Sequence, residues 1–312
     1  MPPPLNFSDR LAHAIGEKGN PCCVGLDPRL ADIPAVFWEE TSGAVSNDAK
    51  LASRAITRFN HLVIDAIAQL VPVVKPQAAF YENQGSLGVE CLADTIAYAR
   101  SKGLLVVADA KRADIGSTAA EYAVSLFRAL DADCATIIHY FGSDGVDPFI
   151  EWAREKGKGL YVVVLTSNPS AAQTQYLVLD DGRKYYEAVA DLVADWGSSL
   201  VGGQSGYSAI GAVVGATRPD EAKKLRTRVP TTPFLLPGYG YQGATADDVV
   251  MGFDSHGKGA IVNASRSIVT VKQRLATCEE CAEIIAENTR RMVADITSAL
   301  RSRRERPVDE SA

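Results

Sequence analysis

The sequence predicts a (β/α)8 barrel, an α/β fold in which eight parallel strands close into a ring with helices outside. Three observations carry this. Short β-branched apolar runs alternate with amphipathic helical stretches, the pattern of βα units winding a parallel sheet. The runs number eight. Several of them end in charged or polar residues, at the strand ends where such barrels build their ligand site. The 312 residues accommodate one barrel of about 250 residues plus extensions.

The strand runs fall at 21–26, 71–79, 104–108, 134–139, 160–165, 210–216, 233–236 and 260–263. Helical periodicity fills 50–70, 88–101, 117–130, 148–156, 185–200, 219–226 and 245–252, and a last helix spans 278–301. Residues 28–48 are the least regular stretch, because Pro28, Pro34 and a Thr-Ser-Gly turn interrupt any single helix. They read as an insertion between strands 1 and 2, over one rim. No fixed-period repeat and no Pro or Gly/Ser linker divides the chain, so residues 1–300 are expected to form a single barrel domain. The tail 301–312, RSRRERPVDESA, is charged without apolar periodicity and is expected to be disordered.

Composition narrows the function classes. A formal net charge of -6 argues against nucleic acid or an anionic membrane and for a small-molecule partner. The first residues lack a basic stretch leading into an apolar run, so no secretory signal is read there. The longest fully apolar run covers about six residues near 160–165, far below the ~20 that span a bilayer. Six cysteines, several inside apolar segments, fit small buried hydrophobes in the reducing cytoplasm. Cys278 and Cys281 form a CxxC, but it lies in a helical pattern without a second ligand pair and is not read as a zinc site. No metal site is expected.

The strand ends hold the chemistry. The first ends at Asp27, the second at Lys75, and the third runs into DAKRAD with Asp109, Lys111 and Asp114. Side chains on a strand alternate with period two, so Asp109 and Lys111 should both face the barrel mouth. Asp114 lies beyond the strand, where alternation says nothing. A charged βα turn would ordinarily be solvated surface. Here two lysines and up to three carboxylates converge, and burying them without purpose would be costly. Such a cluster suits electrostatic catalysis and proton delivery.

PGYGYQG contains GxGxxG, through Gly238, Gly240 and Gly243, but the acidic residue a dinucleotide fold wants about twenty residues later is Asn263. A glycine-rich turn after strand 7 followed by Ser265 and Arg266 after strand 8 instead matches the phosphate site common in these barrels. His139, at the end of strand 4, reads as a satisfied mouth histidine. His13, His61 and His256 assemble no metal site.

Together these residues resemble the orotidine 5'-phosphate decarboxylases. DAKRADIGST looks like that family's Asp-x-Lys-x-x-Asp signature, and GLDP, VVKPQ, TSNPS, PGYGYQG and ASRSI follow in the family's order. The long segment after strand 1 and the wording LTSNPS resemble the longer bacterial form, the type 2 subfamily. The resemblance implies a carboxy-lyase of pyrimidine biosynthesis that makes uridine 5'-phosphate and CO2 from orotidine 5'-phosphate without a cofactor. It implies that Asp27 and Lys75 meet the ribose, and that Lys75, Asp109, Lys111 and Asp114 form a charged tetrad with Lys111 protonating C6. It further implies that Ser167 meets the pyrimidine, Pro237 lies on the ring side, and Gln242 and Arg266 hold the phosphate. Asp114, Ile115 and Thr118 would be supplied to the partner's site in a homodimer. Ser265 departs from the pattern, since many members have glycine before the arginine; a serine backbone N–H can still serve phosphate if its φ is negative.

Two other readings remain at this stage. Sugar-phosphate aldolases and decarboxylases of related barrels share the Asp-x-Lys-x-x-Asp spacing and add magnesium. A non-catalytic nucleotide-binding barrel would bind product yet leave orotidine 5'-phosphate unconsumed.

Overall fold

The eight apolar runs close a parallel barrel in which strand order follows chain order and the first strand pairs with the last. The computed structural model describes residues 5–38, 43–271 and 277–305. The strands are β1 (Cys22–Leu26), β2 (Val73–Pro76), β3 (Leu105–Arg112), β4 (Cys134–Ile137), β5 (Gly159–Leu165), β6 (Ile210–Val214), β7 (Phe234–Pro237) and β8 (Ala260–Ala264). Closure is set by Cys22 opposite Val262 and Val24 opposite Ala264. Both faces of most strands are covered, which is why β1, β4, β6 and β8 are buried at every position and read as continuous apolar runs instead of alternating ones.

The helices in chain order are α1 (Phe7–Lys18), α2 (Ala49–Ile67), α3 (Ala79–Glu82), α4 (Gly85–Ser101), α5 (Gly116–Val124), α6 (Ser143–Lys156), α7 (Tyr185–Gly197), α8 (Pro219–Arg228), α9 (Ala246–Val249), α10 (Arg266–Val269) and α11 (Cys278–Glu305). α1 precedes the alternating pattern and plugs the floor of the barrel. The Asn6 side chain caps it by accepting from the Ser8 N–H at 2.8 Å, and Phe7 packs edge-on against Tyr161 with centroids 6.4 Å apart. Among the described residues no helix is long and apolar enough to cross a membrane.

The segment 28–48 forms two short 3-10 turns, Leu30–Asp32 and Ala35–Phe37. It is anchored by buried Phe37 and Trp38, with Phe37 edge-on to Phe59 of α2 at 5.3 Å. Residues 39–42 lie outside the described residues.

Four expectations change. The second strand stops at Pro76, and residues expected to continue it turn into α3, whose Tyr81 is fully buried and donates its hydroxyl to the Leu26 carbonyl at 3.2 Å. The helix expected at 117–130 leaves α geometry after Val124 and continues as a π turn over Ser125–Ala129. The helix expected from Pro148 begins at Ser143, so its proline lies inside it, whereas proline is most at home in a first turn. The tail expected to be disordered from 301 is helical through Glu305. Leu300 is buried, and Arg303 and Arg304 in the last turn suit the negative end of the helix dipole. Residues 306–312 lie outside the described residues.

Candidate active site

β3 delivers the central acid. Asp109 is 5% exposed, and each carboxylate oxygen accepts two hydrogen bonds. Oδ2 takes Lys75 Nζ from the end of β2 at 2.6 Å and Gln77 Nε2 at 3.0 Å. Oδ1 takes Lys111 Nζ at 2.5 Å and Thr136 Oγ1 of β4 at 2.8 Å. Burial alone would draw the Lys75 ammonium down and push the Asp109 carboxyl up. The charges outweigh it: Asp109 and Asp27 hold Lys75 above the usual lysine range, and Lys75 and Lys111 hold Asp109 below the usual carboxylate range.

Asp109 and Lys111 meet as alternation predicts, but the backbone between them is not a regular strand. The β3–β4 register shifts between Ala108 and Arg112, and Lys111 has φ of 46°, in the left-handed region. A bulge of this kind re-aims a side chain next to a functional site. The ammonium sits against Asp109 while its side chain stays 40% exposed.

This cluster floors a cavity of about 320 Å³ lined also by Asp27, Ser167, Pro237, Gln242, Ser265 and Arg266. Asp27 Oδ1 and Ser265 Oγ are buried with no hydrogen-bond partner among the described residues. A buried acceptor left open costs about 1–3 kcal/mol unless a ligand or water meets it. Opposite the charged cluster the β7 loop brings Gly238, with φ of 118°, beside Gln242; a Cβ there would lie 3.3 Å from Gln242 Oε1. Ser265 has φ of −122°, so its backbone meets the condition for presenting its N–H. The room for its side chain comes from Gly25, where a Cβ would sit 2.7 Å from Ser265 Cβ. The Arg266 guanidinium lies 3.3 Å from the centroid of the Tyr241 ring and forms no ion pair among the described residues, leaving its charge for an anion. Ser167 is fixed through its carbonyl, which accepts from Thr217 Oγ1 at 3.0 Å.

The cavity thus joins a cluster of alternating charge to a glycine-rich loop and the Arg266 guanidinium. A family profile described as Orotidine 5'-phosphate decarboxylase / HUMPS family matches residues 20–281. The chain belongs to this family. A Rhodopirellula baltica protein named orotidine 5'-phosphate decarboxylase is 40% identical over 277 residues, covering 86% of this chain and 90% of its own. A Clostridium perfringens protein of the same name is 37% identical over 295 residues, covering 94% and 99%. The solved Leishmania donovani OMP decarboxylase superposes with a TM-score of 0.73 at 28% identity, covering 95% of this chain and 99% of that one.

Nine of the twelve residues singled out in the sequence line the cavity of this orotidine 5'-phosphate decarboxylase / HUMPS family member. Three do not. Asp114 lies past β3, where its Oδ1 accepts the Ile115 N–H at 2.8 Å; Ile115 is 60% exposed, and Thr118 is exposed on α5. Of the four charged residues expected to act together, one chain brings together Lys75, Asp109 and Lys111. His139 is satisfied on both ring nitrogens, at 3.0 Å from the Val163 carbonyl and 3.0 Å from the Tyr185 hydroxyl, and burial pulls it below the usual histidine range. Cys278 and Cys281 carry free thiols on α11.

Sequence reasoning missed Gln77, Thr136, Tyr241 and Asn263, all in the cavity wall. The first had a signal: Gln77 is two residues after Lys75 and so shares its face. Thr136 is a polar residue inside the apolar run CATIIH. Asn263 is 7% exposed, and its Oδ1 accepts from the Cys23 thiol across the β1–β8 seam at 3.4 Å, a contact that only the closed barrel creates.

Proposed function

We propose that this protein decarboxylates orotidine 5'-phosphate to uridine 5'-phosphate, with Lys111 as the proton donor and no cofactor. The observation that carries the reading is the Asp109 carboxylate clamped between two ammoniums, in the same cavity as Arg266 and the glycine-rich loop. Loss of CO2 breaks the bond from C6 to its carboxylate and leaves the electron pair in the ring plane, out of conjugation with the π system. A conventional electron sink does little for such a pair; a nearby fixed positive charge does much. Lys111 Nζ then gives its proton to C6, forming the C–H bond, and solvent reprotonates the amine.

Asp27 and Lys75 take the ribose, Ser167 and Pro237 the pyrimidine, and Gln242, Arg266 and the Ser265 backbone the phosphate. The open Oδ1 of Asp27 suits a ribose hydroxyl. Binding energy from the remote phosphate organises the charged end, so losses there reduce turnover as well as affinity. We assign Asp114, Ile115 and Thr118 to the partner's site in a homodimer. Support comes from the exposure of Ile115 and from the start of α6, where Gly145 abuts the Asp114 carbonyl and Phe141 and where Tyr140 and Phe141, just before the helix, are exposed. Six free thiols suit the cytoplasm.

The test is direct. Purified protein mixed with orotidine 5'-phosphate should abolish orotate-ring absorbance at the same rate with and without a chelator. No loss of absorbance while uridine 5'-phosphate binds identifies a binding barrel, and loss that stops with chelator identifies a metal-dependent relative.

A further inference from the structure

We propose that Thr136 is a positioning residue that sets the proton-donating lysine by holding both ends of the Asp109–Lys111 turn. This rests on the reading of Lys111 given above. The Thr136 hydroxyl has one proton and donates it to Asp109 Oδ1 at 2.8 Å, while Thr136 Oγ1 itself accepts the backbone N–H of Lys111 at 3.0 Å. That N–H lies where the β3–β4 register shifts, so a side chain on β4 stands in for the missing ladder partner. The hydroxyl therefore ties the carboxylate that receives the ammonium to the backbone that carries it.

The backbone it ties is an unfavourable one. Lys111 is one of two non-glycine residues with positive φ among the described residues, and that conformation is unfavourable for a residue with a Cβ. It persists only where surroundings over-determine it. Two restraints are visible: the ion pair at the tip of the side chain and the Thr136 hydroxyl at the amide. Gln77 and Lys75 secure the other oxygen of Asp109, so with Thr136 gone the carboxylate stays in place while the Lys111 backbone is free to relax to negative φ. The ammonium would then leave its line to the cavity. Thr136 is 1% exposed, and its methyl group packs regardless of the hydroxyl, so shape and hydrogen bonding can be separated by substitution.

The experiment compares Thr136→Val, which keeps the shape and removes the hydroxyl, with Thr136→Ser, which keeps the hydroxyl. The expected result is a fall in kcat of about 100-fold for Thr136→Val, the scale of a small misplacement of a reacting group. Its affinity for uridine 5'-phosphate should be unchanged, and Thr136→Ser should recover most of the rate. Thr136→Ala carries the same comparison if the valine variant does not fold. Equal losses in the serine and valine variants, a loss of nucleotide affinity in place of kcat, or an unaltered kcat without the hydroxyl would each overturn the proposal. Lys111→Ala run alongside separates the two layers. If it retains turnover, the reading of Lys111 fails; if it is inactive while Thr136→Val is fully active, only the role of Thr136 fails.

Discussion

At the N-terminal end of the barrel, Arg10, Arg100 and Lys158 surround Asp131 and Asp133; at the C-terminal end, Lys75 and Lys111 flank Asp109 with Asp27 alongside. Both clusters are half buried and both mix signs. They differ in what their hydrogen bonds reach. At the floor, Asp133 accepts Arg10 at 2.7 Å and the Val106 N–H at 3.0 Å, Arg100 pairs with Asp131, and Lys158 closes on Asp131 and the Ala132 carbonyl, each at 2.9 Å. The floor carboxylates stitch helix ends to strand starts. At the mouth, Asp27 Oδ1 and Ser265 Oγ are left open, and Lys111 is exposed on one side. Charge that ends on the protein's own backbone is architecture, and charge left facing a cavity is available for a reaction.

The widest break in that comparison is Lys111→Ala. Turnover should fall by about 10^5-fold, combining loss of a proton donor and of a fixed charge, while thermal stability and binding of uridine 5'-phosphate hold; calorimetry and a stopped absorbance assay read both. Next comes the unfinished mouth itself. Mixing inactive Lys111→Ala and Asp114→Ala subunits should restore about a quarter of parental activity if each hybrid dimer regains one site. Hybrids that form, as mass spectrometry would show, without any activity would refute the crossing of Asp114.

The floor should respond in the opposite way. Asp133→Ala leaves Arg10 without its carboxylate and the Val106 N–H without its acceptor, and should cost about 3 kcal/mol of unfolding free energy in urea, with kcat per folded protein unchanged. A pH series on Asp109→Asn sharpens the mouth. The folded Asp109 carboxyl is held down, so its contribution is present above its unfolded value of about 3.9 and lost as pH falls through the folded one. Lys75 is held up, so its share is intact below about 10.4 and lost only above. The stability difference between parent and Asp109→Asn should therefore be flat from about pH 5 to 9 and shrink in acid. A difference that drifts near neutrality would mean another group titrates in the cluster. Tyr241→Ala is the smallest: removing the ring beneath Arg266 forfeits about 0.5–1 kcal/mol, read as a few-fold fall in kcat/KM with KM raised and kcat lowered slightly.

The barrel was legible because doubly covered strands must be apolar throughout and must end in polar residues only at the mouth. Asp27, Lys75, Asp109 and Lys111 could be found that way, since alternation and strand ends are local properties. What stayed hidden depends on neighbours across the sheet. Thr136 matters because β4 lies beside a bulge in β3, and Asn263 because β8 closes on β1. Asp114 was readable as chemistry but not as location, since it follows the last residue that strand geometry constrains. The floor cluster is hidden in the sequence for a related reason: Arg10, Arg100, Asp133 and Lys158 come from four separate segments, and no spacing in the chain announces that they meet.

The close approach of Gly25 to Ser265 couples what these two positions can hold. A Cβ at 25 would lie 2.7 Å from Ser265 Cβ, so alanine at 25 fits only if 265 loses its side chain or the two strands move apart. Mutational libraries that vary Ser265 while leaving strand 1 untouched would miss the combinations in which both positions change.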